Sequence, residues 1–131
     1  MALKNPNGNF RDTLSQKLNQ PFPENIIKTQ PSKYDSSTLR YVEPHYYIQR
    51  LNEIFENQWS WNIINYNILE TSVVAHCRLT ITIEDKQHTF DAIGSAARKA
   101  ESPGDDLKKA TSDALKRACS MLGLGLHLYM H

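Results

Sequence analysis

The sequence predicts an α+β domain in which a C-terminal helix lies across a curved antiparallel sheet of three strands, with further helices toward the N-terminus. Between Trp59 and Gly94 apolar and polar residues alternate with a period of two, which is typical of strands with one buried face. Stretches beginning at Pro44 and at Ser102 have apolar residues at the spacing of an amphipathic helix. The predicted order is therefore helix, strand, helix, three strands, helix.

The N-terminal part begins with a polar, Asn-rich stretch, residues 1–9, which we interpret as a flexible arm before a single domain over 10–131. Apolar residues at every fourth position predict a short amphipathic helix over 10–18, and the Pro-Phe-Pro segment that follows ends it. A short strand is expected over 26–30, followed by a polar, flexible loop over 31–37.

The second helix begins at Pro44, because the N–H that proline lacks would have no partner in the first turn. Its apolar face is predicted to contain Tyr47, Ile48, Leu51, Ile54 and Phe55. The clearest strand covers 73–84, with an apolar face of Ala75, Cys77, Leu79, Ile81 and Ile83. A hairpin turn at 84–87 leads to a returning strand over 88–94, and 59–69 supplies the third strand of the meander.

The last helix opens with Ser102-Pro103-Gly104-Asp105-Asp106, which brings acidic residues to the end that the helix dipole favours for anions. Its apolar stripe is predicted from Leu107 to Leu122, and Gly123 and Gly125 fit a helix stop. The apolar ending 126–130 is expected to pack on a neighbouring molecule or to continue into a further segment.

Composition excludes several classes of protein. The 131 residues include 15 Lys and Arg against 14 Asp and Glu, so the net charge is +1 and the chain is not polybasic. Two cysteines form no disulfide framework and fit a reducing compartment, for which the cytoplasm is the default. No stretch is apolar enough for a bilayer span, and the N-terminus lacks the apolar core of a secretory signal.

No catalytic motif is present, so we expect neither an active site nor a bound metal or cofactor. The chain has no phosphate-binding glycine loop, no nucleophile elbow and no His-Glu-x-x-His pair. Asp105 and Asp106 resemble metal-binding carboxylates, which would suit a small nuclease, but their position favours a helix N-terminus. Cys77 and Cys119 are predicted to be buried spacers.

Cations of the last helix form the main candidate binding surface. Lys108 and Lys116 share one ridge, and Lys109 and Arg117 share the next with Asp113, which can pair with either of them. The alternative interpretation is a solvated helix face with internal ion pairs. Further candidates are cations at the loop before the helix, on the polar face of the central strand and beside an aromatic residue: Arg98, Lys99, Arg78, and Arg40 next to Tyr41.

Two segments together resemble the annealing domain of the Rad52 superfamily. Tyr41-Val42-Glu43-Pro44-His45, followed by a helix and Trp59, is similar to the Tyr-x-Glu-x-His start of that domain. The stretch from Lys109 to Ala118 resembles its last helix, with an Asp-x-Leu-Lys-Arg core. Residues 112–129 are most similar to the bacterial DdrA-type branch, and so is the segment 18–23.

This resemblance, which extends over residues 14–129, implies that the chain binds single-stranded DNA and anneals complementary strands without nucleotide hydrolysis. It implies a core of three strands and a helix, in protomers that assemble side by side into a ring. It further implies that the groove of the ring holds the DNA backbone and leaves the bases facing outward. It also implies that Lys116 and Arg117 bind the DNA backbone and that Tyr41 lies beside them.

Two departures from the family pattern modify this prediction. Ser120 stands where eukaryotic members have a further arginine, and residues 103–106 bring acids to a region that is basic in the family. We therefore expect either a weaker affinity for DNA or a groove that draws on further cations, Arg98, Lys99, Lys108 or Arg78.

The sequence thus predicts an oligomeric, ATP-independent single-stranded DNA-binding and annealing protein of recombination and double-strand break repair, forming a ring or a helical filament. Recombination or single-strand-binding proteins are further expected partners, and the expected location is the nucleoid of bacterial or phage-infected cytoplasm. The main alternative is a self-assembling structural or partner-docking module without DNA contact, for which Ser120 and the acidic approach to the last helix are the support. A nuclease using Asp105 and Asp106 is the weaker alternative.

Overall fold

The computed structural model of the chain describes residues 10–32, 35–99 and 101–130, so the predicted arm over 1–9 lies outside the described residues. The helices are α1 (Phe10–Asn19), α2 (Pro44–Phe55) and α3 (Pro103–Met121). The strands are β1 (Lys28–Pro31), β2 (Thr38–Tyr41), β3 (Trp59–Ile68), β4 (Ser72–Ile83) and β5 (Lys86–Ala97). Two short 3₁₀ turns, Glu24–Ile26 and Leu126–Tyr129, complete the regular structure of the described residues.

The strands β3, β4 and β5 form the predicted antiparallel meander, with β4 in the centre. The β4–β5 hairpin closes through a turn of two residues, Glu84 and Asp85, which both have positive φ values, as a tight hairpin turn requires. The ladder between β3 and β4 is irregular at Ile64, where one residue of β3 bulges. The predicted α+β class, with α3 packed against a three-stranded sheet, is confirmed.

Burial along β4 follows the predicted period of two. The residues facing α3 have no exposed surface, and they are Val73, Ala75, Cys77, Leu79 and Ile81. The residues between them, including His76 and Arg78, remain partly exposed on the opposite face of the sheet. The core of the domain therefore lies between this face of the sheet and the small buried residues of α3, such as Ala110 and Ala114.

The helix approaches the sheet most closely at Gly94 of β5. A Cβ atom placed there would lie 2.1 Å from the carbonyl oxygen of Ala110 and 2.4 Å from the backbone nitrogen of Ala114. Only a residue without a side chain lets the two backbones come this near. Gly94 thus sets the distance and the position of α3 on the sheet.

A second, two-stranded sheet was only half predicted. The expected strand over 26–30 is found two residues later as β1, and it pairs antiparallel with β2, which was not predicted. The predicted loop contains the connection between these two strands, of which residues 33 and 34 lie outside the described residues. Nearly all residues of β1 and β2 are exposed, so no apolar alternation marks them in the sequence.

The chain after α3 folds back onto its own domain. Gly123 and Gly125 have φ values of 97° and 76°, which allow the reversal that the sequence predicts at this point. Leu124 and Leu128 enter the core, while Leu126, Tyr129 and Met130 stay exposed, so the expectation that this ending packs elsewhere is only partly met. Among the described helices, none has the length and apolar content needed to cross a membrane.

Replacing Gly94 by alanine is expected to lower the free energy of unfolding by about 3 kcal/mol or more, because the methyl group would overlap the backbone of α3. Gly104→Ala is the matched control, since its methyl group would meet nothing nearer than Ser102 Oγ at 3.5 Å. Urea unfolding followed by circular dichroism measures both variants. Similar unfolding midpoints for the two would contradict the role given to Gly94.

Candidate functional site

A cavity of about 290 Å³ opens where the β1–β2 ribbon, the start of α2, the second half of α3 and the C-terminal turn meet. We call it the cationic cavity, because three of the four charged residues that line it are cations: Arg40, Lys116 and Arg117, with Asp113 as the one carboxylate. Tyr41 and Tyr129 add aromatic rings to its wall. The site is thus assembled from segments that are distant in sequence.

Lys116 provides the central cation. Its Nζ atom lies 5.5 Å from the ring centroid of Tyr41 and 6.0 Å from that of Tyr47, within the range of cation–π attraction. Burial lowers the pKa of Lys116, an effect that the charges of Glu43 and Asp113 oppose. Within the described part of the chain, this half-buried ammonium group forms no hydrogen bond and no ion pair.

Arg117, the next residue of α3, is held by a carboxylate on the same helix. Its Nε donates to Oδ2 of Asp113 at 3.2 Å, one turn earlier. The same oxygen accepts a hydrogen bond from the backbone N–H of Ser95 on β5 at 3.1 Å. The side chain of Arg117 is 54% exposed and forms part of the cavity wall.

Arg40 and Tyr41 reach the cavity from the end of β2. The Nη2 atom of Arg40 donates to Oε1 of Glu24 at 2.8 Å, and the side chain of Glu24 is 84% exposed. Tyr41 lies directly opposite Lys28 in the ribbon, and Lys28 in turn binds Oε1 of Glu43 at 2.8 Å. Glu43 precedes the first residue of α2, so this ion pair ties the ribbon to that helix.

The chemistry of the cavity suits an anion with several acceptor oxygens. Two guanidinium groups offer planar arrays of donors, and the ammonium group of Lys116 offers a point charge in a partly desolvated place. The neighbouring aromatic rings can contact an apolar part of the same ligand. Among the described residues, no group of three or more metal-ligating side chains is present.

Of the predicted site residues, the structure brings Arg40, Tyr41, Lys116 and Arg117 together at this cavity. Arg78 lies elsewhere, on the sheet face opposite α3. Its guanidinium binds both carboxylate oxygens of Asp91, at 2.7 and 3.1 Å, and His76 binds one of them at 2.8 Å. The hydrogen bonds from Arg78 and then His76 lower the pKa of Asp91 to about 2.

The remaining predicted cations also lie outside the cationic cavity. Arg98 donates to the carbonyl oxygen of Leu69 at 3.2 Å, beside the start of β4. Lys108 and Lys109 are exposed in the first half of α3, and Lys108 is about 12 Å along the helix from Lys116 at 1.5 Å per residue. The backbone N–H of Lys99 donates to Asp106.

Asp105 and Asp106 occupy the first turn of α3, as the helix N-terminus interpretation predicts. Asp106 is fully buried, and its Oδ2 accepts the hydrogen bond from the backbone of Lys99 at 3.1 Å. This carboxylate therefore fixes the start of the helix to the end of β5. Asp105 remains exposed.

Tyr47, Asp113 and Tyr129, which contact or adjoin the cations of the site, were not among the predicted site residues. Tyr47 was assigned to the core, and it is indeed 1% exposed, but its ring also lies beneath Lys116. Tyr129 was counted only as part of an apolar ending. The link from Asp113 to Ser95 joins residues 18 positions apart, and only the spacing of Asp113 and Arg117 signalled half of it in the sequence.

A larger, mainly apolar cavity of about 680 Å³ adjoins the first one along the outer edge of β5. The two cavities share Arg117 and Tyr129. The apolar part of the second wall comes from Ile93, Met121 and Leu126, which are all exposed. Sequence analysis identified no site here, because these residues come from three separate segments.

Comparison with known proteins relates the chain to DNA repair proteins of the Rad52 type. A family model described as the Rad52/22 family double-strand break repair protein matches residues 11–131. The DNA repair RAD52-like protein 1, mitochondrial, of Arabidopsis thaliana is 28% identical over 116 residues, which cover 87% of this chain and 64% of that protein. The DNA repair RAD52-like protein 2, chloroplastic, of the same plant is 27% identical over 113 residues, or 86% of this chain and 57% of that protein. The chain thus spans less than two thirds of the length of these relatives.

Substituting Lys116 by methionine is expected to raise the free energy of unfolding by up to about 1 kcal/mol, and the melting temperature with it. The reason is that an apolar side chain of similar length removes the cost of burying an unpaired charge. Lys108→Met, an exposed position on the same ridge, is the control and should leave stability nearly unchanged. Thermal unfolding measures both. A lower melting temperature for Lys116→Met would show that the ammonium group serves the fold.

Proposed function

The chain belongs to the Rad52/22 family of double-strand break repair proteins, and on this basis we propose that it binds single-stranded DNA and anneals complementary strands without nucleotide hydrolysis. The family supports a role in DNA repair and recombination. The observation that carries the proposal is the half-buried ammonium group of Lys116, which lines the same cavity as two arginines and has no carboxylate partner of its own among the described residues.

A DNA phosphate is the ligand that this cavity accommodates best. Its oxygens can accept from the guanidinium groups of Arg40 and Arg117 while Lys116 supplies charge behind them. Contacts to the backbone carry no sequence information, which is what annealing of any complementary pair requires. The ring of Tyr41 would then lie against a sugar or a base, where stacking tolerates every sequence.

Each protomer offers only a few cations, and the net charge of the chain is +1. About two or three phosphate contacts per protomer become a strong site when an assembly repeats them along one strand. We therefore place the activity in a homo-oligomer, as a ring or a helical filament. Lys108, Lys109, Arg98, Lys99 and Arg78 lie outside the cationic cavity and stay predictions as secondary DNA contacts.

The edges of the three-stranded sheet support such an assembly. On the face of β3 that looks toward the α3 side, Ile63, Tyr66 and Ile68 lie beyond the cover of the helix and are 42–49% exposed. At the other edge, the apolar cavity beside β5 is also uncovered. Two different apolar surfaces at opposite edges fit a head-to-tail contact, which repeats into a ring or a filament.

A self-assembling module without DNA contact is the second candidate, and one observation favours it. Arg117 and Arg40 are already paired with Asp113 and Glu24, so a phosphate must compete with two carboxylates. Retention of labelled oligonucleotide at low and moderate salt separates the candidates, since a docking module would show no salt-dependent retention.

The bacterial DdrA-type branch, the nucleoid location and the protein partners stay predictions, and the two named relatives are organellar plant proteins.

Changing Lys116 and Arg117 together to alanine is expected to abolish binding of a labelled single-stranded oligonucleotide and to leave the assembly intact on a sizing column. In the parent protein, the logarithm of the binding constant should fall with the logarithm of salt by about 0.7 for each phosphate neutralised. The pair Lys17→Ala and Lys86→Ala removes the same charge outside the cationic cavity and serves as the control. Equal binding by both double variants would disprove the assigned site.

Introducing lysine at Ile63 is expected to dissociate the assembly, because a charge would be buried at the proposed contact. Ile48→Lys, on the exposed side of α2 with 40% of its surface accessible, is the control. Analytical ultracentrifugation reports the mass, and circular dichroism reports whether each variant is folded. An assembly unaffected by a lysine at Ile63 would exclude this face of β3 from the contact.

A further inference from the structure

Asp113 joins two elements of the domain through a single oxygen atom. Its Oδ2 accepts the backbone N–H of Ser95, on the outer edge of β5, and the Nε of Arg117. The side chain of Asp113 is 31% exposed, so the carboxylate is partly screened from water and fixed to the sheet. Arg117 is therefore connected to the backbone of β5 through this carboxylate.

This contact has two opposite consequences for an anionic ligand. The negative charge of Asp113 reduces the attraction of the cationic cavity for phosphate. The hydrogen bond, however, restrains the long side chain of Arg117 through Nε, and the described residues contain no hydrogen-bond partner for its two terminal amino groups. A restrained arginine loses less conformational freedom when it binds a phosphate.

We infer that Asp113 is a positioning residue, which holds Arg117 so that its terminal amino groups face the cationic cavity ready for a phosphate of single-stranded DNA. This inference rests on the proposed function and adds to it a residue that does not touch the ligand. Restraint outweighs repulsion because Asp113 is itself anchored by Ser95.

Glu24 shows what a carboxylate without such an anchor looks like. It pairs with Arg40 at the same cavity, but 84% of its side chain is exposed, and the described residues show its carboxylate bonded to Arg40 alone. A carboxylate on a freely moving side chain restrains its partner little. Asp113 and Glu24 therefore allow a matched comparison, since each carboxylate forms an ion pair with one arginine of the cavity.

The experiment compares Asp113→Asn with Glu24→Gln, using the full chain and a labelled oligo-dT strand at several salt concentrations. Both changes remove one negative charge, so charge alone predicts tighter binding for each of them. We expect Glu24→Gln to bind equally or more tightly and Asp113→Asn to bind roughly three- to tenfold more weakly. The amide oxygen of asparagine can still accept the N–H of Ser95, which preserves the link to β5, but without the negative charge it holds the Nε of Arg117 less firmly.

A second background separates positioning from a general effect on the fold. In Arg117→Gln, the change Asp113→Asn should no longer weaken binding, because the side chain that Asp113 positions is absent; binding is then measured at low salt. A loss of equal size in both backgrounds, or tighter binding by Asp113→Asn alone, would overturn the inference while leaving the proposed function in place. Failure of the unaltered protein to retain the strand would refute both.

Discussion

The close contact between α3 and the sheet at Gly94 is the constraint on which the site depends. Because the backbone of β5 touches that of α3 between Ala110 and Ala114, the rotation and height of the helix are fixed. With the helix in this position, Asp113 lies along the edge of β5 and Lys116 points toward the β1–β2 ribbon. A looser packing would leave the same residues on the helix but would not bring them to one cavity.

The same helix divides its surface between stability and binding. Small residues such as Ala110, Ala114 and Ala118 are fully buried and allow the close approach, while the residues beside them keep charges at the edge of the core. Burial lowers the pKa of Lys116, so the charged form is less favourable here than in water. A cation kept at such a cost, without a carboxylate partner of its own in the described chain, is more consistent with a ligand than with the fold.

Patterns within one segment were predictable, and contacts between segments were not. The alternation in β4 and the spacing in α2 and α3 follow from one buried face each, so the meander and the helices were predicted within a few residues. The β1–β2 ribbon was partly missed, because exposed strands have no apolar period. The resemblance to the Rad52 superfamily, now confirmed at the level of the family, suggested Lys116, Arg117 and Tyr41 as site residues. It did not suggest Tyr129 or the link from Asp113 to Ser95, since neither spacing nor residue type records which edge a helix will meet.

The ion pairs of Arg40 with Glu24 and of Arg117 with Asp113 affect how strongly a single cavity can bind a phosphate. When a phosphate takes the place of Glu24 on Arg40, the ion pair that is lost offsets part of the new attraction, although exposed ion pairs contribute only about 0.2–1 kcal/mol. The three cations of one cavity make only a few contacts to a strand, and Lys116 gives up no ion pair in making its contact. Weak contacts of this kind release a strand easily at any one protomer. Repeated along an assembly, they would hold the backbone firmly while each part of the strand could still shift into register with its complement.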